Sequence, residues 1–335
     1  MNLDITLHKG RTDRPAVIFI HGLGMDKRIW ATPDDARIVG GSFPLRFLLS
    51  KKPKPIDHVS GKNEPVISRK RFSFGESSEE LKTSFHDLKS VGYTVITWSQ
   101  KRPAGPVDIA VEELREVLQY IRRYSKQGII LIGHSRGGLI ARKYFERKDK
   151  IVKGLITLAT PHHGSSMAKW AQYISPLASI ISPLIHEDDR KKFSSTIKRI
   201  LNFIGGKAIK ELLPDSEFFR SLKGINFKEI PCLSFGGTSP SLFTLYRWKA
   251  DKNNLKPKVL LSFPGILEKI IFKKFYPSEL KKGYGDGLVS ARSAKMPQCN
   301  NHYNFKVNHA GILFDEGVRK KIVEAVEYIS ADLLL

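Results

Sequence analysis

The sequence is poor in cysteine and contains no long apolar run. Cys232 and Cys299 are its only cysteines, which argues against a disulfide framework and a cysteine-ligated metal site, and we expect both to be small buried residues. No apolar stretch approaches the ~20 residues of a membrane span. The N-terminus has no basic segment followed by an apolar one. We therefore expect a cytoplasmic protein with no signal peptide and no transmembrane segment.

Acidic residues are scarce relative to basic ones. Asp and Glu number 33 against 56 Lys and Arg, which gives a formal net charge of +23. A field of this sign favours anionic surfaces and opposes self-association. The lysines are dispersed, and no recognised nucleic-acid-binding motif interleaves them with aromatic residues. We therefore expect no nucleic-acid partner, and an anionic membrane surface is the candidate peripheral partner. The oligomeric state is not predicted.

Short apolar runs recur along the chain, and several lead directly into glycine. They lie at 16–22, 93–98, 128–135, 154–164 and 230–237. Runs rich in Ile, Val and Leu are typical of parallel strands that are buried on both faces of an α/β sheet. The stretches 107–124 and 316–334 instead place their apolar residues on one helical stripe. This alternation predicts a mostly parallel sheet flanked by helices, with ligands at the carboxyl ends of the strands.

Three segments interrupt the alternation. Residues 42–75 are rich in Lys, Pro and Ser and predict a long, exposed basic insertion. Residues 238–282 mix aromatics with lysines, and residues 165–228 have a mostly helical pattern. We therefore expect a core of residues 1–164 and 229–335, with a basic insertion at about 42–75, a second insertion at about 238–282 and a helical insertion at 165–228.

The stretch Gly133-His134-Ser135-Arg136-Gly137 matches G-x-S-x-G. The motif is weak alone because it occurs by chance, but here an apolar strand precedes it and a helical segment follows. A serine in this context sits on a sharp strand-to-helix turn that exposes its Oγ at the sheet edge. A Cβ at Gly133 or Gly137 would collide across that turn. Ser135 is the predicted nucleophile, and His134 is expected only to shape the turn.

A serine nucleophile needs a histidine to accept its proton and an acid to orient that histidine. His309 lies between an alternating strand and the last helix, which places it at the sheet edge predicted for Ser135. Asp286 lies in a turn that precedes one further strand, and the order Ser135, Asp286, His309 is the one expected for this motif. Three other acids remain as alternatives: Asp215, Asp251 and Asp315. The first two lie in insertions, and helix capping suffices to explain the third.

The tetrahedral intermediate of acyl transfer also requires hydrogen-bond donors for its oxyanion. One predicted donor is the backbone N–H of Arg136, at the start of the helix after Ser135. The other is the backbone N–H of Leu23, in the loop after the first buried strand. His21 and Gly22 are expected to shape that loop.

Together these segments resemble the α/β-hydrolase superfamily, and specifically its bacterial triacylglycerol lipases. The matching stretches are IFIHGLG, LIGHSRGGLIARKYF, GLITLATPHHGSS, KELLPDSEFFRSL and GDGLVSARSA with VNHAG. The resemblance implies an α/β-hydrolase fold with Ser135, Asp286 and His309 as catalytic triad. It also implies that His162 shapes the active-site rim and that residues 165–228 form a lid.

Two departures from this family affect the expectations. Its calcium-binding members carry an acid two residues after the catalytic histidine, where this chain has Gly311. We therefore expect neither a metal nor another cofactor. The family is also commonly exported, whereas no export signal is seen here.

The predicted function is hydrolysis of carboxylic esters through an acyl-enzyme on Ser135. The apolar composition of the helical insertion and the basic surface favour lipid-like esters. The same triad would serve an acyltransferase or a thioesterase, and nothing in the sequence separates these. A non-catalytic protein that binds membrane or nucleic acid is the remaining alternative. The combination of elbow, base and acid in one chain argues against it.

Overall fold

The computed structural model describes residues 3–38, 43–49, 56–57, 72–74, 80–124, 126–167, 207–222, 230–251, 254–269, 274 and 276–333. Most of the predicted lid, at 168–206 and 223–228, lies outside these residues, as does most of the insertion 42–75. Within the described parts of the chain, no helix combines the length and the apolar character that a membrane span requires.

The buried strands of the main sheet and the two longest helices follow the apolar pattern of the sequence, whereas the strands of the two insertions do not. The strands are β1 Asp4–His8, β2 Ala16–Ile20, β3 Arg37–Ile38, β4 Phe43–Pro44, β5 Ile56–Asp57, β6 Phe72–Phe74, β7 Val95–Ser99, β8 Ile129–His134, β9 Val152–Leu158, β10 Cys232–Gly237, β11 Phe243–Asp251, β12 Asn254–Phe263 and β13 Asn301–Phe305. The α-helices of the described residues are α1 Arg28–Ala31, α2 Ser84–Ser90, α3 Val107–Ile121, α4 Arg136–Tyr144, α5 Lys207–Glu211, α6 Glu217–Ser221, α7 Ala291–Ala294 and α8 Glu316–Asp332.

Seven strands form the main sheet in the order β1-β7-β2-β8-β9-β10-β13. Strand β1 runs antiparallel to β7, and all the other neighbours are parallel. Every residue of β2 and β8 is buried, because helices cover both faces of the sheet. The predicted mostly parallel α/β sheet is confirmed.

Alternate residues of the central strands pack on opposite faces of the sheet. Ile18 of β2 belongs to a core with Leu114 of α3 and Leu139 of α4. Its neighbour Phe19 belongs to a second core with Val318 of α8. The carboxyl ends of the parallel strands share one edge of the sheet. Both cysteines are buried, as expected.

A second, four-stranded sheet joins the insertions 42–75 and 238–282, which lie far apart in the sequence. Its order is β5-β12-β11-β6, and all its pairs are antiparallel. The inner strands β11 and β12 come from the insertion 238–282, whereas β5 and β6 come from the insertion 42–75. Leu45 of the latter insertion is fully buried, so it contributes to the core and is not wholly an exposed excursion.

Candidate active site

Ser135 occupies a strained turn between β8 and α4. Its φ of 53° and ψ of −126° lie in a region that non-glycine residues rarely adopt. A Cβ on Gly133 would come within 2.5 Å of Gly138 Cα, and one on Gly137 within 2.3 Å of the Ile20 carbonyl oxygen. The glycines are required by steric contact across the turn, as the motif predicts.

Asp286 and His309 form a buried contact at the same edge of the sheet. The His309 Nδ1 atom lies 2.9 Å from Asp286 Oδ2, and the residues are 3% and 0% exposed. The other carboxylate oxygen, Oδ1, accepts the backbone N–H groups of Leu288 and Val289 at 2.9 and 2.7 Å. Because an ionised carboxylate only accepts hydrogen bonds, His309 Nδ1 is the donor of the pair. With Nδ1 as the donor, Nε2 is the ring nitrogen placed to accept a proton.

The turn that carries Asp286 is held by a second acid, Glu279, which the sequence did not single out. A Cβ on Gly285 would lie 2.4 Å from the Glu279 carbonyl oxygen, and this oxygen accepts the Gly287 N–H at 2.9 Å. The buried Glu279 carboxylate accepts both the N–H and the hydroxyl of Ser166 at 2.8 and 2.7 Å. It therefore ties the acid turn to the loop after β9. Nothing in the sequence around Glu279, which lies in the insertion 238–282, indicates this role.

His134 contacts His309 and does more than shape its own turn. The rings lie 4.9 Å apart between centroids, and His134 Nε2 lies 2.9 Å from the His309 carbonyl oxygen. Burial, with the nearby His309 ring, lowers the pKa of His134 to about 3, so this imidazole is neutral and its Nε2–H donates to that carbonyl. The residue before the serine therefore braces the loop of the predicted base.

The loop after β2 lies directly beside the serine. A Cβ on Gly22 would come within 3.0 Å of Ser135 Cβ, so the backbone that leads to Leu23 approaches the nucleophile closely. His21 is fully buried, and burial lowers its pKa to about 4. Its Nδ1–H donates to the Gly22 carbonyl at 2.9 Å, and its Nε2 accepts the Gln100 N–H at 3.1 Å. The neutral ring thus fixes the shape of the loop.

Gln100 links the two backbone segments that carry the predicted oxyanion donors. Its amide donates to the His21 carbonyl at 3.1 Å and accepts from Arg136 Nη1 at 2.8 Å. Arg136 is fully buried, and burial lowers its pKa to about 10. As the first residue of α4, it has no intrahelical acceptor for its backbone N–H. Gln100 was missed in the sequence, although its position immediately after β7 is a carboxyl-end position of a parallel strand.

His162 is buried within the loop that follows β9. Its Nε2 lies 3.0 Å from the Thr157 hydroxyl, and its carbonyl accepts from Arg142 at 2.9 Å. Its N–H donates to the Ser293 carbonyl at 2.9 Å. Burial holds the pKa of His162 well below its usual value. The residue therefore supports the rim from inside by joining the loop after β9 to the segment that follows Asp286.

Among the described residues, neither Asp315 nor Asp215 is found in contact with His309. Asp315 begins α8, and its Oδ1 accepts the Val318 N–H at 3.0 Å. This is the capping role that the sequence suggested for it. Asp215 is exposed. His309 contacts Asp286, so the geometry pairs the base with the acid predicted first.

Comparisons with known proteins agree with this fold. The palmitoyl protein thioesterase family matches residues 72–201, less than half of the chain but including the turn at Ser135. A lipase of Bacillus licheniformis in its mature form aligns with a TM-score of 0.50 and 15% identity, over 97% of this chain and 98% of that one. Its propeptide form aligns with a TM-score of 0.51 and 15% identity, over 97% and 53%. A search of curated proteins found no match. The chain therefore folds as an α/β-hydrolase, the fold that its motifs predicted.

Proposed function

We propose that the protein is a serine hydrolase that cleaves carboxylic esters through an acyl-enzyme on Ser135. The observation that carries this proposal is the buried 2.9 Å contact between His309 and Asp286, at the sheet edge where Ser135 is held on a strained turn. Strain at a serine is costly to the fold, by roughly 1–3 kcal/mol. A strained serine beside a paired histidine and acid is better explained by a role in catalysis than by a role in folding.

The proposed reaction has two halves, acylation and deacylation, and the same groups act in both. The Ser135 Oγ attacks the ester carbonyl while His309 Nε2 accepts its proton, and Asp286 stabilises the imidazolium that forms. The backbone N–H groups of Leu23 and Arg136 bind the oxyanion. His309 then donates the proton to the leaving alcohol. Water repeats the sequence on the acyl-enzyme and releases the carboxylic acid.

Lipid-like esters are the proposed substrate class, and an anionic membrane is the proposed peripheral partner. The formal charge of +23 and the apolar stretch YISPLASIISPLI within residues 165–228 support both. A basic surface concentrates the protein near anionic headgroups, and an insertion with so apolar a sequence favours acyl chains over small polar acids as substrates.

A thioesterase is the second candidate, and the family match over residues 72–201 favours it. The same acyl-enzyme forms from a thioester. A thiolate is a better leaving group than an alkoxide, so its departure depends less on protonation by His309. Relative rates on the two leaving groups therefore separate the candidates.

The test is labelling with a fluorophosphonate, followed by turnover of nitrophenyl esters and acyl thioesters of matched chain length. We expect labelling and turnover in the native chain and neither in Ser135→Ala. Faster turnover of long-chain oxygen esters would support the lipase or esterase, and faster turnover of the thioesters would support the second candidate. Labelling that persists in Ser135→Ala would falsify the proposed nucleophile.

A further inference from the structure

The two cysteines of the chain lie side by side although they are 67 positions apart. Cys232 begins β10, and Cys299 lies two residues before β13, which pairs with β10 in parallel. The thiol of Cys299 donates to the Cys232 carbonyl at 2.8 Å, and the two thiols also hydrogen-bond to each other. Both side chains belong to the core that contains α3 and α4. They therefore lie on the same face of the sheet.

The spacing of the two chain segments suits a disulfide bond. Leu233 pairs with Asn301, so Cys232 and Cys299 are offset from each other by one position. Neighbouring strands are ~4.8 Å apart and rise ~3.3 Å per residue, which places the two Cα atoms about 6 Å apart when this spacing is extended to Cys299. Cystines have Cα separations of roughly 4.4–6.8 Å. A bond between the two sulfur atoms therefore requires little movement of the backbone.

The two thiols differ in reactivity. Hydrogen bonds from the Cys232 thiol and the Asn301 backbone, together with the charge of Lys295, lower the pKa of Cys299 although burial opposes the shift. The hydrogen bond to Cys299 and burial raise the pKa of Cys232. Because the thiolate is the form that reacts with oxidants, Cys299 is the thiol that attacks first. Cys232 is placed to react second.

A cavity of about 420 Å³ gives small molecules a route to Cys299, which is one of its lining residues. Arg292 and Lys295 also line it, and both are exposed. None of the described residues that line the cavity is acidic. Positive charge around a thiol favours the thiolate and stabilises an anionic leaving group. Since Cys299 is only 3% exposed, the cavity suits a small oxidant better than a protein.

We propose that Cys299 is an oxidation site and forms a reversible disulfide with Cys232. The Cys299 thiolate attacks a hydroperoxide, whose O–O bond breaks to leave a sulfenic acid and an alkoxide or hydroxide that takes a proton from water. The Cys232 sulfur then attacks the sulfenic sulfur. The S–O bond breaks, and the departing hydroxide leaves with the thiol proton as water. Two thiols lose two electrons in all, and one hydroperoxide gains them.

The disulfide closes residues 232–299 into a loop that contains the β11–β12 hairpin and Asp286. A cross-link over a loop of this length restricts the unfolded chain, so we expect the melting temperature to rise by roughly 5 °C on oxidation. The bond lies at the amino end of β10, whereas Ser135 lies at the carboxyl edge of the sheet. Oxidation should therefore leave ester hydrolysis unchanged. The inference goes beyond the proposed function and does not depend on it.

The experiment treats the reduced chain with hydrogen peroxide and follows free thiols, mass and melting temperature. We expect loss of both thiols, a mass lower by two hydrogens and a peptide that joins Cys232 to Cys299, all reversed by dithiothreitol. In Cys232→Ala, Cys299 should stop at the sulfenic acid, which dimedone traps. In Cys299→Ala, Cys232 should remain reduced. Two thiols that persist in the native chain, or cross-links only between separate chains, would overturn the proposal.

A matched pair of variants tests the activation of Cys299. Lys295→Gln should slow its oxidation several-fold, because the thiolate loses a neighbouring positive charge. Lys306→Gln removes the same charge from an exposed position at the other end of β13 and should leave the rate unchanged. Equal rates in the two variants would overturn the assignment of Cys299 as a thiol activated by its surroundings.

Discussion

Asp286 divides its carboxylate between His309 and its own turn. Oδ2 lies 2.9 Å from His309 Nδ1, while Oδ1 accepts two backbone N–H groups from Leu288 and Val289. Because the backbone immobilises one oxygen, the direction of the other is set before any substrate binds. His309 also donates its backbone N–H to the Asp286 carbonyl at 3.0 Å. The acid and the base are therefore joined twice, through side chains and through backbone.

Asp286→Asn should lower kcat by about 10⁴-fold with little loss of stability, because the amide can present an N–H to Nδ1 and favour the wrong tautomer of His309. The measurement is ester hydrolysis together with urea unfolding. Asp315→Ala is the matched control. It should lower the unfolding free energy by about 1 kcal/mol through loss of the α8 cap and leave kcat unchanged. A large fall of kcat in Asp315→Ala would indicate that Asp315 is the acid that orients His309.

Gln100→Met should lower kcat by roughly 10- to 100-fold and leave KM nearly unchanged. The change removes the bridge between Arg136 and His21, so the two predicted oxyanion donors lose their fixed spacing while the acyl site stays intact. Gln119→Met, at an exposed position of α3, serves as control and should retain full activity. A rise in KM with unchanged kcat would show that Gln100 acts on substrate binding instead.

Gly137→Ala should be strongly destabilising, by about 1–3 kcal/mol or more. The new methyl group would lie 2.3 Å from the Ile20 carbonyl oxygen and force α4 away from β2. Gly265→Ala is the comparison, because its Cβ would meet only Ser262 Cβ at 3.9 Å. Thermal unfolding of both variants checks the difference. Equal melting temperatures would mean that the turn relaxes more easily than the geometry indicates.

Stability should fall as the pH drops below about 6.5, the ordinary pKa of histidine. Burial lowers the pKa of His21 to about 4 and that of His134 to about 3. Between these values and 6.5 the unfolded chain binds protons that the folded chain does not, so each ring lowers the unfolding free energy by up to about 1.4 kcal/mol per pH unit. Urea unfolding between pH 8 and pH 5 measures the slope. His134→Gln should reduce that slope, and an unchanged slope would contradict a neutral, buried His134.

The main sheet and the turn at Ser135 could be predicted because both have local causes. Strands buried on two faces must be apolar throughout, as β2 and β8 are, and a strand-to-helix turn this tight requires the glycines at 133 and 137. The second sheet could not be predicted. Strands β5 and β6 have only two and three residues, too few for a periodic signal, and their partners are about 170 or more positions away in the chain.

The same distinction holds within the candidate site. Ser135, Asp286 and His309 can be proposed as a triad from residue type and order, since the chemistry of a triad restricts both. Gln100 and Glu279 act through contacts with backbone groups of other loops, and many polar residues could serve there. The contact of His134 with His309 was also unpredicted, because it depends on the spacing of two loops that are distant in sequence.

The pairing of β5 and β6 with the β11–β12 hairpin makes the folding of each insertion depend on the other. Without β6 and β5 the hairpin would lose its partners at 245–247 and 254–255, and strands of three and two residues are too short to persist without the hairpin. A shorter relative of this protein should therefore lack both insertions or neither. Trimming the chain for engineering likewise has to remove them together.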